Sequence, residues 1–126
     1  MKSQFLSFIV GLIVGMGAII SFNMLIKPKK QSLEILPFPY YRVLFEDDNV
    51  RIIDHKLNPG ETEPMHYHPP MYVYFLENAD VVVSGPDGEK NSESLKKWQG
   101  SVFPALTHSI QNVGKTSLHS ILIELK

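Results

Sequence analysis

Two hydrophobic patterns divide the 126-residue chain. From Phe5 to Ile26 there is no alternation: FLSFIVGLIVGMGAIISFNMLI is apolar almost throughout and carries no charge. A helix of about 22 residues is roughly 33 Å long, enough to cross a hydrocarbon core. Residues 5–26 are therefore expected to form a single transmembrane helix, within an anchor spanning 1–30. Gly11 and Gly15 have GxxxG spacing, which lipid tolerates and which also suits a helix–helix face. A cleaved signal peptide is the alternative, but its apolar core is normally shorter. The flank Lys27-Pro28-Lys29-Lys30 reads as the border of an anchor. Lys2 lies on one side and three lysines on the other, a weak lean toward a cytoplasmic barrel that is opposed by the export usual after a short N-terminal tail, so the side, periplasmic or cytoplasmic, stays open.

Beyond a proline-rich linker, residues 31–40, the pattern changes to short runs rich in Val, Ile, Tyr and Phe. Strands are predicted over Tyr41–Phe45, Val50–Leu57, Met65–His68, Met71–Leu76, Val81–Ser84, Leu95–Trp98, Val102–Phe103, His108–Asn112 and Leu118–Leu125. They are separated by Asp, Asn, Gly and Pro, each of which accepts tight-turn geometry. Many short strands with no helical period between them imply an all-β sandwich or barrel over residues 41–126. The last run, HSILIELK, is apolar on both faces up to Glu124, as expected of a strand buried in the core.

Composition narrows the chemistry. A formal charge of −1 offers no basic surface for nucleic acid. With no cysteine, disulfides, thiolate metal sites and thiol nucleophiles are excluded. A metal ion would have to be held by imidazole and oxygen, and five histidines are present.

His66-Tyr67-His68 is the most informative triplet. In a strand, residues two apart face the same way, roughly 7 Å apart, so both rings can converge on one ion. His108 is the candidate third ligand from another strand. Neutral imidazole suits zinc, iron, copper and nickel and, less tightly, manganese. A lone H-x-H is more often a surface pair, and its surroundings decide its meaning.

Those surroundings resemble the cupins. Gly60, five residues, then His66-x-His68 is similar to the first cupin motif; Pro104, His108 and Asn112 are similar to the tail of the second. The resemblance covers Val50 to Lys126 and extends to the small single-domain cupins, including the group named after beta-alanine degradation. It implies a double-stranded β-helix, or jelly roll, with a divalent-metal site inside one end, held by His66, His68 and His108. There are departures. The glutamate that cupins place three or four residues after the second histidine is replaced by Tyr72 or Val73, and Leu106 stands where glycine is usual.

Three neutral ligands leave the full charge of an ion available to a small, anionic molecule. Tyr72 is the candidate proton donor if the centre is catalytic, as a dioxygenase or an isomerase-like enzyme. The rivals are a non-catalytic binding or sensory module, and a structural envelope protein with a vestigial site. A homodimer is expected only by analogy. Of the remaining candidates, His55 is expected at an edge or surface and His119 packed, while Glu63 and Glu77 sit at turns.

Overall fold

The computed structural model describes residues 35–126. The expected transmembrane helix, residues 5–26, lies outside the described residues. The described chain is all-β, as its alternation predicts. Nine strands run in the order β1 (Tyr41–Glu46), β2 (Val50–Leu57), β3 (His66–His68), β4 (Met71–Phe75), β5 (Ala79–Ser84), β6 (Lys90–Leu95), β7 (Gly100–Phe103), β8 (Leu106–Asn112) and β9 (Leu118–Leu125). They form a five-stranded sheet, β1-β2-β9-β4-β7, and a four-stranded sheet, β3-β8-β5-β6. All the strand pairings are antiparallel.

The period of two sets which side chains enter the space between the sheets. On β2 the buried row is Arg51, Ile53, His55 and Leu57; on β9 it is Leu118, Ser120, Leu122 and Glu124. Met71, Val73 and Phe75 form the same row on β4. With Ala79 and Val81 of β5 they make the apolar core. β9 is the central strand of its sheet, bonded to both β2 and β4, which accounts for its long apolar run.

Two expectations need correction. The polar stretch KNSESL forms β6, paired along its length with β5, although its composition argues against a strand. Its partner positions explain why: Asn91, Glu93 and Leu95 lie opposite Val83, Val81 and Ala79. That hairpin closes through the anticipated Gly85–Gly88 turn, where Gly88 takes a φ of 82°. Of the segment expected as a strand at Leu95–Trp98, Leu95 ends β6 and the residues after it form a turn. Trp98 has a φ of 66°, a left-handed conformation that cannot continue a strand, and Gln99 N donates back to the Lys96 carbonyl.

Candidate metal centre

β3 places His66 and His68 on its inward face, and the β3–β8 register puts His108 directly opposite His66. All three rings are buried, and one ring nitrogen from each lies within 4.8 Å of the others. The sequence-derived triad therefore comes together between the sheets, as a group that could hold a metal ion. Asn112 of the second motif serves the fold instead. Its amide donates to the Leu57 and Thr116 carbonyls, tying β8 to the ends of β2 and β9.

The hydrogen-bond network assigns the tautomers. His66 Nδ1 lies 2.7 Å from the Pro64 carbonyl, which can only accept, so Nδ1 carries the proton. His68 Nδ1 lies 2.5 Å from Glu124 Oε1. Arg51 Nε donates to the other oxygen of Glu124 at 2.6 Å. With each Nδ1 turned to an oxygen, Nε2 is the atom each ring presents to the other, and the two Nε2 atoms are 2.8 Å apart. Two ring nitrogens this close need a proton or a metal ion between them. His108 Nε2 is buried and has no hydrogen-bond partner among the described residues. Leaving such an atom unpaired costs about 1–3 kcal/mol.

Glu124 is completely buried and Arg51 is 6% exposed. They face each other across the β2–β9 register. Together they hold His68 from behind, in the carboxylate–histidine arrangement that fixes ring orientation and basicity at metal sites. A second network lies beside His66. Glu63, 1% exposed, receives the Tyr41 hydroxyl at 3.0 Å on one oxygen and His55 Nε2 at 2.9 Å on the other. Its segment runs along β8: Glu63 N donates to the Ile110 carbonyl, and Ser109 Oγ donates to the Glu63 carbonyl. The Tyr41 ring stacks on His55 at 4.2 Å, and its hydroxyl is 3.0 Å from His66 Nε2.

Burial sets most of the electrostatics. It pushes the Tyr41 phenol well above 10, reinforced by the neighbouring Glu63 and Glu124 carboxylates. It also pushes His108 down to about 3, with the nearby His68 and His66 adding to the effect. His66 is lowered as well, chiefly by burial, partly offset by the Pro64 carbonyl and Glu63. Burial alone would raise Glu63, but the His55 hydrogen bond and the neighbouring imidazoles outweigh it and hold it below the usual carboxylate range. His66 and His108 are thus kept in the neutral form that metal ligation requires.

Several sequence expectations change here. Tyr72 is not beside the histidines. It sits between inward-facing Met71 and Val73, so its side chain is on the outer face, 40% exposed and against Gly100. That geometry removes it as the proton donor. Val73 is the inward residue at the place expected of the cupin glutamate. His55, expected at an edge or surface, is buried in the second network, and Glu63, expected at a turn, is buried there too. His119 is half-buried on the outer side of β9, and its Nε2 pairs with Asp54 at 2.7 Å. Tyr41, Arg51 and Glu124 were missed. The signal for the last two was phase: Arg51 shares the inward period of Ile53 and Leu57, and Glu124 that of Leu118 and Leu122.

No protein-family profile and no curated protein matches the chain. Solved structures match it in fold. A cupin domain from Bordetella pertussis Tohama I superposes with a TM-score of 0.63 at 20% identity, covering 74% of this chain and 98% of that one. An RmlC-like cupin family protein with a double-stranded β-helix fold, from Methanocaldococcus jannaschii, gives a TM-score of 0.55 at 17% identity, with 79% and 93% covered. A cupin superfamily protein from Desulfitobacterium hafniense DCB-2 gives 0.52 at 19% identity, with 78% and 93% covered. What these proteins share with the chain is the fold: the described residues form a cupin-type double-stranded β-helix.

Proposed function

We propose that this chain is a membrane-anchored cupin-fold protein that holds one divalent metal ion on His66, His68 and His108 and uses it to bind or transform a small, anionic molecule. One observation carries the reading: two imidazole Nε2 atoms 2.8 Å apart beside a third, buried Nε2 with no partner among the described residues. One cation held among them would engage all three nitrogens at once. The donor set, three neutral nitrogens, fits iron, manganese, nickel or zinc. When bound, such an ion supplies a Lewis-acid centre with positions open to a ligand.

The chain's own residues supply the remainder. Glu124 and Arg51 orient His68; Pro64 orients His66. Tyr41 holds a proton at the edge of the site, since burial keeps its phenol protonated. It therefore takes the donor role that the sequence suggested for Tyr72. Residues 5–26 would tether the barrel to a membrane, and a fusion reporter at Lys126 would establish its side.

The test is metal analysis of the full-length chain purified without chelators, followed by titration with each of the four ions. Binding near one equivalent, lost in His66→Ala and His108→Ala, is expected. Less than about 0.2 equivalents with no uptake on titration would end the proposal. If an ion binds, oxygen consumption and turnover of small thiols, diketones and amino acids separate an enzyme from a binding module.

A further inference from the structure

An antiparallel sheet that faces water on one side normally carries polar residues there. The five-stranded sheet departs from that rule. Its outward positions meet in register across all five strands: Phe45 lies opposite Ile52, Ile52 opposite Ile123, Ile123 opposite Tyr72, and Tyr72 opposite Val102. One row of the outer face is therefore apolar or aromatic from edge to edge. In the next row Ile121 and Tyr74 continue the patch, with the Trp98 ring 6.4 Å from that of Tyr74. On the other side of it Val50 lies opposite Leu125. Val102 is 80% exposed and Trp98 62%, so this apolar surface stands in solvent.

The face is also smooth and electrically quiet. Tyr72 lies down against Gly100, its hydroxyl end filling the place where a Cβ would stand, which levels the surface between β4 and β7. Charge is confined to one margin, where Arg42 and Asp54 pair at 3.2 Å and Asp54 also takes His119 at 2.7 Å. The sheet edges offer less. β1 is interrupted by a bulge between Val43 and Phe45, and β7 has only four residues, so neither edge presents a long regular row to another strand.

Independently of any metal, we infer that the outer face of the five-stranded sheet is a self-association surface, on which a second copy of this chain packs face to face as a two-fold dimer. Five strands about 4.8 Å apart and three outward rows about 7 Å apart give a footprint of roughly 500 Å², side-chain width included. Two such faces bury about 1,000 Å², the size at which a specific interface begins. Tyr, Trp and Phe are the residues that interface cores favour. With its marginal charges already paired, the patch meets its own copy without repulsion. Its one cation, Arg42, is bound to Asp54, so it lacks the free basic residues that draw a surface onto anionic headgroups.

The test is sedimentation equilibrium of the full-length chain in density-matched non-ionic detergent, from about 1 to 100 μM. The mass should rise from one chain to two, and the emission of Trp98, the single tryptophan, should move to shorter wavelength with it. Val102→Lys/Tyr72→Lys should keep the circular dichroism of the parent and raise the dimer dissociation constant at least about a hundredfold. The chain has no cysteine, so a thiol can be placed singly. Ile123→Cys, on the central strand of the face, should be joined to its own copy by a short bismaleimide, and Lys90→Cys on β6 should not. A chain that stays monomeric overturns the inference and leaves the face to lipid or to a different protein. A dimer unaffected by Val102→Lys/Tyr72→Lys overturns it as well, and its loss in Gly11→Ile/Gly15→Ile would assign that dimer to residues 5–26.

Discussion

The two sheets contribute different chemistry to the same interior. The four-stranded sheet presents bare nitrogen donors: His66 and His68 on β3 and His108 on β8. The five-stranded sheet presents charge: Arg51 on β2 and Glu124 on β9, along with His55 and the Tyr41 ring. One sheet offers the lone pairs, and the other decides where they point. A short H-x-H strand would leave both rings free to rotate. Here a fully buried carboxylate from the opposite sheet grips one of them. A site of neutral ligands can thus depend on charges that never touch its contents.

That division can be broken from either side. The largest effect is expected from the donor sheet: His68→Ala should lower metal affinity at least about a hundredfold, measured by competition with a chelating dye. On the charged sheet, Glu124→Gln removes the partner of a buried arginine. It should destabilise the chain by about 3–5 kcal/mol in urea unfolding. The same change should weaken metal binding about 10–100-fold by releasing His68. The double variant Arg51→Met/Glu124→Leu separates the two effects. It should recover most of the stability, because the buried pair leaves together, while affinity stays low. Recovery of both would show that Glu124 does not position His68.

Acid should act on the donor sheet. His66 and His108 are both held below their ordinary value, His108 at about 3. In the unfolded chain they titrate near 6.5, so as pH falls below that value the unfolded state binds protons that the folded state refuses. Their contribution is fully present above pH 6.5 and is lost as pH falls, for His108 down to about 3. Each ring should contribute a slope of about 1.4 kcal/mol per pH unit while it resists protonation. Urea unfolding of the metal-free chain at pH 7.5, 6 and 5 should show this loss, and His108→Gln should flatten it. The smallest effect belongs to the outer face. Tyr72→Phe should change stability by no more than about 0.5 kcal/mol and leave metal affinity unaltered, since its hydroxyl lies outside the barrel.

The amino-acid sequence by itself determined the strand pattern of residues 41–126 except around β6 and the turn after it, the shared face of His66 and His68, and His108 as the candidate partner. These follow from the period of two and from the motif spacing, both local properties. It also marked Asn112 and the Gly85–Gly88 turn, because turn chemistry is local too. Only the tertiary structure decided the rest. β6 is a strand because β5 lies beside it, not because KNSESL favours one. Tyr72 faces outward because Met71 and Val73 on either side fill the core. The pairing of Arg51 with Glu124, 73 residues apart, comes from β9 inserting between β2 and β4. Glu63 is buried because the segment before β3 is bonded along β8. A charge on an inward phase is visible in one strand. Its partner is not, because pairing depends on register between strands distant in the chain.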